Sequence, residues 1–390
     1  MNLKLPLSLL VLFSARVWSS PVCSRVHTIG TGSAVLTSGR AGPCTVVSVG
    51  TEANDCSDEI YIFDMGQGSL RSFIDAGLDI HKVKAVFASH VHQDHVQEMG
   101  TLEFFHWFHA SEEAMQNYTG LEFYCPSGSM ESDPSTLDTT TCDWLRKGLE
   151  PFAVDVALRG MGGGPYMNVK EYRSEFGEAP QLILDNPLVK VHAIRVTHFP
   201  YTSDAYRVDV EGAGSFILSQ DVNNDGNKYL LKLGELGPID LLVEEITYNN
   251  LKSLEVDPGD TIHTTPHVVA DTAQKLNATE LMITHMIPPP CRDDLGPYTY
   301  PFAYFSEDDM HFILEKLGVP GRITVSRDHT YIQFPGNTRV QGPNVDIFCV
   351  PKPADYVPWR QLYGDSSSAD HLKAFSFASV LVVLFSLVKV

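Results

Sequence analysis

The chain has 390 residues, room for one large layered domain or for two or three smaller ones. With 43% apolar and 19% charged residues it can build a buried core, which excludes a chain disordered by composition. Forty-eight acidic residues against 28 Lys plus Arg give a formal net charge of −20 with no basic run, so the charge balance disfavours nucleic acid as a partner.

At the N-terminus, Lys4 precedes the apolar stretch Leu5 to Phe13, and the small residues Ser19 and Ser20 precede Pro21. This order predicts a signal peptide over 1–19, because so short an apolar run falls below the roughly 20 residues a bilayer span needs. At the other end, the apolar run Phe375 to Val388 follows the polar spacer Gly364 to Ser368, which predicts a GPI-anchor signal or short membrane anchor over 366–390. The expected product is a secreted or plasma-membrane-anchored protein whose folded unit, residues 20–365, is a single domain. Asn117 and Asn277 open Asn-x-Thr sequons and are the expected glycosylation sites of such a chain. Seven cysteines (Cys23, Cys44, Cys56, Cys125, Cys142, Cys291 and Cys349) include no C-x-x-C pair, which argues for disulfides over a thiolate metal site. The count is odd, and Cys44, inside the strand-like run Cys44 to Val49, is the expected free thiol.

In chain order, strands are predicted at Arg25 to Ile29, Cys44 to Val49 and Ile60 to Phe63, followed by a helix from Gln67 to Ala76 and a buried strand from Val83 to Ala88. That strand runs into Ser89-His90-Val91-His92-Gln93-Asp94-His95, the densest polar cluster in the chain. Between about 125 and 185, Gly, Pro, Ser and Thr runs read as an insertion, with the character of a lid. Strands then recur at Leu188 to Val196, Ser215 to Leu218, Leu241 to Glu244 and Glu280 to Ile283, with a helix at Pro266 to Leu276. Their ends repeatedly meet a polar residue: His198, Asp221, Glu245 and His285.

Three imidazoles and a carboxylate within six residues after a buried strand suit divalent metals bound without thiolate. Alternate residues His90 and His92 project to one side of a tight loop, while Asp94 and His95 turn toward a second point, so one segment can feed two metals. The motif His90-x-His92-x-Asp94-His95, with His198, Asp221 and His285 after it, resembles the metallo-β-lactamase fold, and within it the ribonuclease Z and arylsulfatase-like branch, over residues 25 to 335. Thr28 to Gly32, Phe63 to Gly66, His263 to Pro266, Leu281 to His285 and Arg327 to His329 add weaker matches.

The resemblance implies an α/β fold, a four-layer αββα sandwich with the insertion on it, and two Zn²⁺, with Mn²⁺ as an alternative. It implies that His90, His92 and His198 hold one metal, that Asp94, His95 and His285 hold the other, and that Asp221 bridges them. Such a pair acidifies water and offsets charge on an ester's oxyanion, which suits ester hydrolysis. Asp64 is the residue expected to steady a ligand imidazole from outside. His263 and Glu245 look like the branch's proton donor and its orienting carboxylate, so Asp94, His263 and Glu245 are the catalytic candidates, although His263 could also serve only to cap a helix. Two positions depart from the pattern: Gln97 and Gln220 stand where relatives usually have Gly.

Ribonuclease Z enzymes typically carry a long RNA-gripping arm between the positions of His198 and Asp221, where this chain has 22 residues. That difference, the acidic charge and the secretory reading lead to an expected small anionic ester as partner, with a homodimer compatible with the sequence. The first expectation is an arylsulfatase-like hydrolase, since Asp94 to Met99 resembles that group's Asp-His-Val-Gly-Glu/Asp-Leu. A phosphodiesterase or ribonuclease Z-like endoribonuclease is the alternative, and a non-catalytic glycolipid-tethered binding protein the other. Phe104, Phe105, Trp107 and Phe108 either wall an aromatic pocket or, as such stripes more often do, fill a core.

Overall fold

In the strands that lead to the His90 motif, both faces are apolar. Val26, Val47, Tyr61, Phe63 and Phe87 pack to one side, and Ile29, Val46, Ile60, Ile62 and Val86 to the other. Sheets of this kind must be covered twice, which produces stacked layers. The computed structural model describes residues 21–34, 40–111, 118–127, 140–159, 166–198, 201–247, 262–286, 307–343 and 361. The signal and anchor readings over 1–19 and 366–390, the Asn117 sequon, Cys291 and Cys349 lie outside these residues.

Six strands follow the N-terminus: β1 (Val22–Gly30), β2 (Cys44–Thr51), β3 (Glu59–Phe63), β4 (Val83–Phe87), β5 (Glu122–Ser127) and β6 (Asn168–Arg173). The next seven, β7 (Gln181–Asp185), β8 (Val189–His198), β9 (Tyr201–Val210), β10 (Gly214–Leu218), β11 (Leu241–Glu245), β12 (Glu280–Thr284) and β13 (Arg322–Val325), form the second sheet, in order β13-β12-β11-β10-β9-β8-β7. β14 (Thr330–Phe334) and β15 (Thr338–Val340) return to the first, whose order is β15-β14-β1-β2-β3-β4-β5-β6.

One apolar layer, including Phe87, Val191, Tyr206, Phe216, Val243 and Phe334, fills the space between the sheets. Helices α1 (Ser69–Asp75), α2 (Gln93–Val96), α3 (Met99–Phe108) and α4 (Thr141–Lys147) lie on the first half of the chain, and Phe73, Val96, Leu102 and Leu145 from them cover the outer face of the first sheet. After α5 (Ala153–Arg159), helices α6 (Asn227–Gly234), α7 (Pro266–Leu276) and α8 (Glu307–Lys316) cover the second through Leu230, Val269, Ala273 and Met310. The four-layer αββα architecture is thus as expected.

Cys23–Cys56 and Cys125–Cys142 are disulfides, and Cys44 is buried and free, as its place in an apolar strand suggested. Asn277 is the left-handed C-cap of α7 (φ 50°), a conformation Asn tolerates well, which accounts for this residue without a glycan.

The expected insertion over 125–185 needs correcting in extent. β5 pairs with both β4 and β6, and β6 and β7 are edge strands of the two sheets, so the excursion is confined to the chain between β5 and β6. β6 (NVKEYR) and β7 (QLILD) escaped prediction because edge strands carry charge and expose one face, which blurs the alternation. β9 was also missed.

Glu103 of α3, fully buried, closes that excursion: its carboxylate accepts the backbone N–H of Leu121 at 3.1 Å and of Tyr166 at 3.0 Å. Burial pushes its carboxyl up to about 8, against the opposing hydrogen bonds from Leu121, Tyr166 and Tyr118. The folded state therefore keeps a proton that the unfolded chain releases near 4.5, and this contribution to stability is complete below 4.5 and is lost as pH rises toward 8. Denaturant unfolding should show stability falling across that window by up to about 1.4 kcal/mol per pH unit from this group. Glu103→Gln should flatten the slope; an unchanged slope would place its source elsewhere.

Candidate metal centre and its proton donor

β4 ends where its neighbours can hold the loop beyond it. Asp64, just after β3, accepts Ser89 N–H at 2.8 Å and Ser89 Oγ–H at 2.7 Å. Met65 N–H donates to His95 O at 2.6 Å, and Glu98 N–H returns to Met65 O at 3.0 Å, so the turn after β3 cradles the ligand-bearing segment. The contact needs glycine: a Cβ on Gly66 would sit 1.8 Å from Asp94 O. Glu98 then caps α1, accepting Gly68 N–H and Leu70 N–H at 2.8 and 2.7 Å. That structural task explains an acidic residue in the run Asp94 to Met99 without reference to any substrate.

The structure brings all seven expected ligands together. His90, His92, His198 and Asp221 form one group and Asp94, His95 and His285 another, with candidate ligand atoms within 4.8 Å of one another in each. Asp221, at the end of β10, lies between them. Its Oδ1 is 3.1 Å from both His95 Nε2 and His285 Nε2, and its Oδ2 is 3.5 Å from His198 Nε2 and 3.9 Å from His90 Nε2.

Proton accounting shows which ring nitrogens point lone pairs inward. His95 Nδ1 is tied to Asp64 Oδ2 at 2.7 Å, His90 Nδ1 to Ser89 Oγ at 2.9 Å, His198 Nδ1 to Ile262 O at 3.0 Å and His285 Nδ1 to Thr247 Oγ1 at 2.6 Å. A backbone carbonyl or a carboxylate can only accept, so Nδ1 of His198 and His95 carries hydrogen and Nε2 faces the cluster. Ser89 and Thr247 hydroxyls each donate onward to a carboxylate, on Asp64 and Glu245, and so impose the same tautomer on His90 and His285. Inside the cluster the result is electrostatically awkward without a cation. His90 Nε2 and Asp221 Oδ1 are buried with no hydrogen-bond partner, and the 3.1 Å approaches to Asp221 Oδ1 lack hydrogen-bond geometry. Convergent N and O donors with their outer nitrogens pinned fit divalent metal ions.

Charge in the pocket agrees with that fit. Burial depresses His198 to about 4 and pulls His90 and His92 down, leaving neutral donors of the kind metals bind. Asp94 is held at about 2, since His95 and His285 outweigh the opposing effect of burial. His95 goes the other way: burial opposes its charge, yet Asp221, Asp94 and Asp64 outweigh burial and raise it. The pocket attracts positive charge, as a proton or as a metal cation.

His263, at the approach to α7, completes the site. Its Nδ1 is 2.7 Å from Glu245 Oε2 and 3.8 Å from Asp221 Oδ2, and despite its burial the Glu245 carboxylate raises it to about 9. The helix-cap alternative fails on geometry, because Thr265 is the N-cap of α7. Glu245 also accepts Val222 N–H at 2.7 Å, next to Asp221, and the Thr247 hydroxyl. Thr247 therefore stands between Glu245 and His285, a link the sequence reading missed because a lone Thr two residues past a strand carries no signal of its own.

Gln220 adopts φ 51°, the left-handed region, so the departure from Gly just before Asp221 carries backbone strain. Gln97, by contrast, is helical at φ −56° and costs nothing. Trp107 is fully buried, and Phe104 stacks on Phe152 at 4.9 Å and on Phe108 at 6.0 Å, so this stripe packs chiefly as core, with Phe105 the exposed member.

The short form of human tRNase Z matches this structure with a TM-score of 0.52 at 18% identity, covering 80% of this chain and 99% of that one. YhfI of Bacillus subtilis, a metallo-β-lactamase fold protein, matches at 0.53 and 17%, with the same coverage. In sequence, the chain is 24% identical over 270 residues to ribonuclease Z of Mycobacterium marinum, and to that of Mycobacterium bovis, covering 67% of this chain and 85% of each relative. No family model matches the chain. The architecture is that of a metallo-β-lactamase-fold hydrolase of ester-type bonds with a dinuclear metal site. Within that class the chain's likeness is to the ribonuclease Z branch.

Two expectations are corrected by these relatives. The reading that took a small anionic ester as partner and disfavoured nucleic acid gives way, since the matched proteins are ribonucleases; net charge, a property of the whole chain, was the wrong guide to one site. The secretory, membrane-anchored placement is likewise withdrawn. It rested on composition at the two ends, and the matched relatives are bacterial ribonucleases Z. Among the described residues, which do not include those ends, no helix is long and apolar enough to cross a membrane.

Two measurements probe this geometry. Thr247→Val, which removes the hydroxyl and keeps the shape, should weaken metal binding roughly 10- to 100-fold in chelator competition, while Thr247→Ser should not; equal affinities would mean the hydroxyl does not orient His285. Gln220→Gly should raise stability by about 1 kcal/mol in denaturant unfolding, because Gly, unlike Gln, adopts this backbone without steric cost.

Proposed function

We propose that the chain is a dinuclear zinc phosphodiesterase acting on RNA in the manner of ribonuclease Z, with Mn²⁺ as an alternative metal. His90, His92 and His198 would hold one ion, Asp94, His95 and His285 the other, and Asp221 both. When bound, the ions supply acidification of water and neutralisation of charge on the phosphate oxygens. Asp64, Ser89, Thr247 and the Ile262 carbonyl keep the imidazoles turned inward. Glu245 holds Nδ1 of His263 and favours its imidazolium, so the proton to be moved sits on Nε2, where it can pass to the departing alkoxide. The ribonuclease Z relatives support this phosphodiester reading over the arylsulfatase-like one.

The observation that carries the proposal is the 2.7 Å His263–Glu245 contact beside Asp221, because a metal-binding protein with no reaction to perform has no need of an oriented proton donor there. Zinc-loaded chain should cleave a tRNA precursor. His263→Ala should keep its zinc and lose roughly 10²- to 10⁴-fold in turnover, whereas Asp221→Ala should lose metal at both positions. Loss of zinc from the His263 variant would make that residue a ligand, and absence of RNA cleavage by metal-loaded wild type would sink the proposal.

A further inference from the structure

Behind the ligand loop, at the site end of the space between the sheets, lies a buried ion pair that no step above uses. Arg195 of β8 and Asp204 of β9 face each other across that hairpin, with side chains 6% and 0% exposed and Nε donating to Oδ1 at 2.6 Å. Both belong to the second sheet, yet they also reach the ends of strands of the first. Arg195 Nη2 donates to Ser127 O at the end of β5 at 3.3 Å, and Nε approaches Ser174 Oγ, just past β6, at 3.2 Å. The Ser174 hydroxyl donates in turn to Asp204 Oδ2. Asp204 N–H donates at 3.2 Å to Ser89 O, the residue before His90. His198 lies three residues beyond Arg195 on the same strand.

We propose that Arg195 and Asp204 are positioning residues that hold the ends of β4, β5 and β6 against β8 and β9, so that His90 and His92 meet His198 at a fixed distance. The inference rests on the metal-centre reading above. Below the pair the sheets touch through Phe87, Tyr206 and Val191, and apolar contact is non-directional, so it resists separation better than sliding. A guanidinium fork bound to a carboxylate, a hydroxyl and a carbonyl has directional geometry and resists sliding. Stability alone is a poor reason for the pair, since desolvating two charges offsets most of their attraction. A metal centre assembled from two sheets tolerates displacements of only about 0.5 Å.

The experiment is the double variant Arg195→Met with Asp204→Leu, in the full chain. It should melt within a few degrees of wild type, because apolar residues of similar volume replace buried pairs with little loss. Its zinc affinity should nevertheless fall at least 10-fold in chelator competition well below the melting point, and kcat should fall with KM little changed. Wild-type affinity and kcat in this folded variant would overturn the inference. Should the double variant not fold, Ser174→Ala decides the matter, as it keeps both charges and cuts one tie to the first sheet: weaker zinc binding supports the role and unchanged binding refutes it. Failure of the wild-type chain itself to bind zinc would instead remove the underlying reading of the site.

Discussion

Asp221 is the point on which the arrangement depends. A carboxylate 2% exposed, with imidazole nitrogens of His95 and His285 on one oxygen and of His198 and His90 on the other, joins two ligand groups, each of which draws on both halves of the chain. Lone pairs aimed at one another in a water-poor space repel, so this convergence persists only if outside contacts impose it or a cation occupies the middle. The structure supplies outside contacts in number. Four imidazoles have Nδ1 tied, and Asp64 alone serves His95 directly and His90 through Ser89. Backbone ties add to them, from Met65 to His95 and from Met286 N–H to Thr31 O at 3.1 Å, beside His285.

The same logic separates what the sequence made legible from what it hid. The ligands were readable because they lie at or just past the ends of buried strands, and a strand's apolar run is a local pattern: Val83–Phe87 before His90, Gly214–Leu218 before Asp221, Glu280–Thr284 before His285. α7, with Pro at its first position and Asn at its C-cap, was readable for the same reason. Thr247, Arg195, Asp204 and the Ile262 carbonyl were not, because their meaning comes from partners 9 to 64 residues away that no periodicity announces. The edge strands β6 and β7 failed differently: half-exposed, they offer only part of the apolar pattern by which a strand is recognised.

Net charge was the least transferable of the sequence's properties. Forty-eight acidic residues suggested repulsion of a polyanion, yet several of them are spent inside the fold. Asp94 and Asp221 belong to the ligand cluster, Asp64, Glu103, Asp204 and Glu280 are buried and hydrogen-bonded, and Glu244 and Glu245 are buried in β11. Charges that do lie on the surface act over about 8 to 10 Å at physiological ionic strength, so those far from the site have little say in what enters it. The ribonuclease Z relatives are compatible with an acidic chain once charge is counted by place and no longer by sum.

Strain at Gln220 shows how the centre and the fold trade against each other. The left-handed turn at Gln220 immediately precedes the carboxylate that lies between the two groups, and a neighbouring bond, Ser219 Oγ–H to Gln220 O at 2.8 Å, helps to hold it. Glycine would adopt that turn at no steric cost, but it would also widen the set of conformations open to the unfolded chain and to the turn itself. A glutamine held there, together with Val222 N–H on Glu245 immediately after, leaves Asp221 between two anchored neighbours. The bridging carboxylate is thereby fixed along the chain as firmly as the imidazoles are fixed from outside, which a site drawing ligands from two sheets requires.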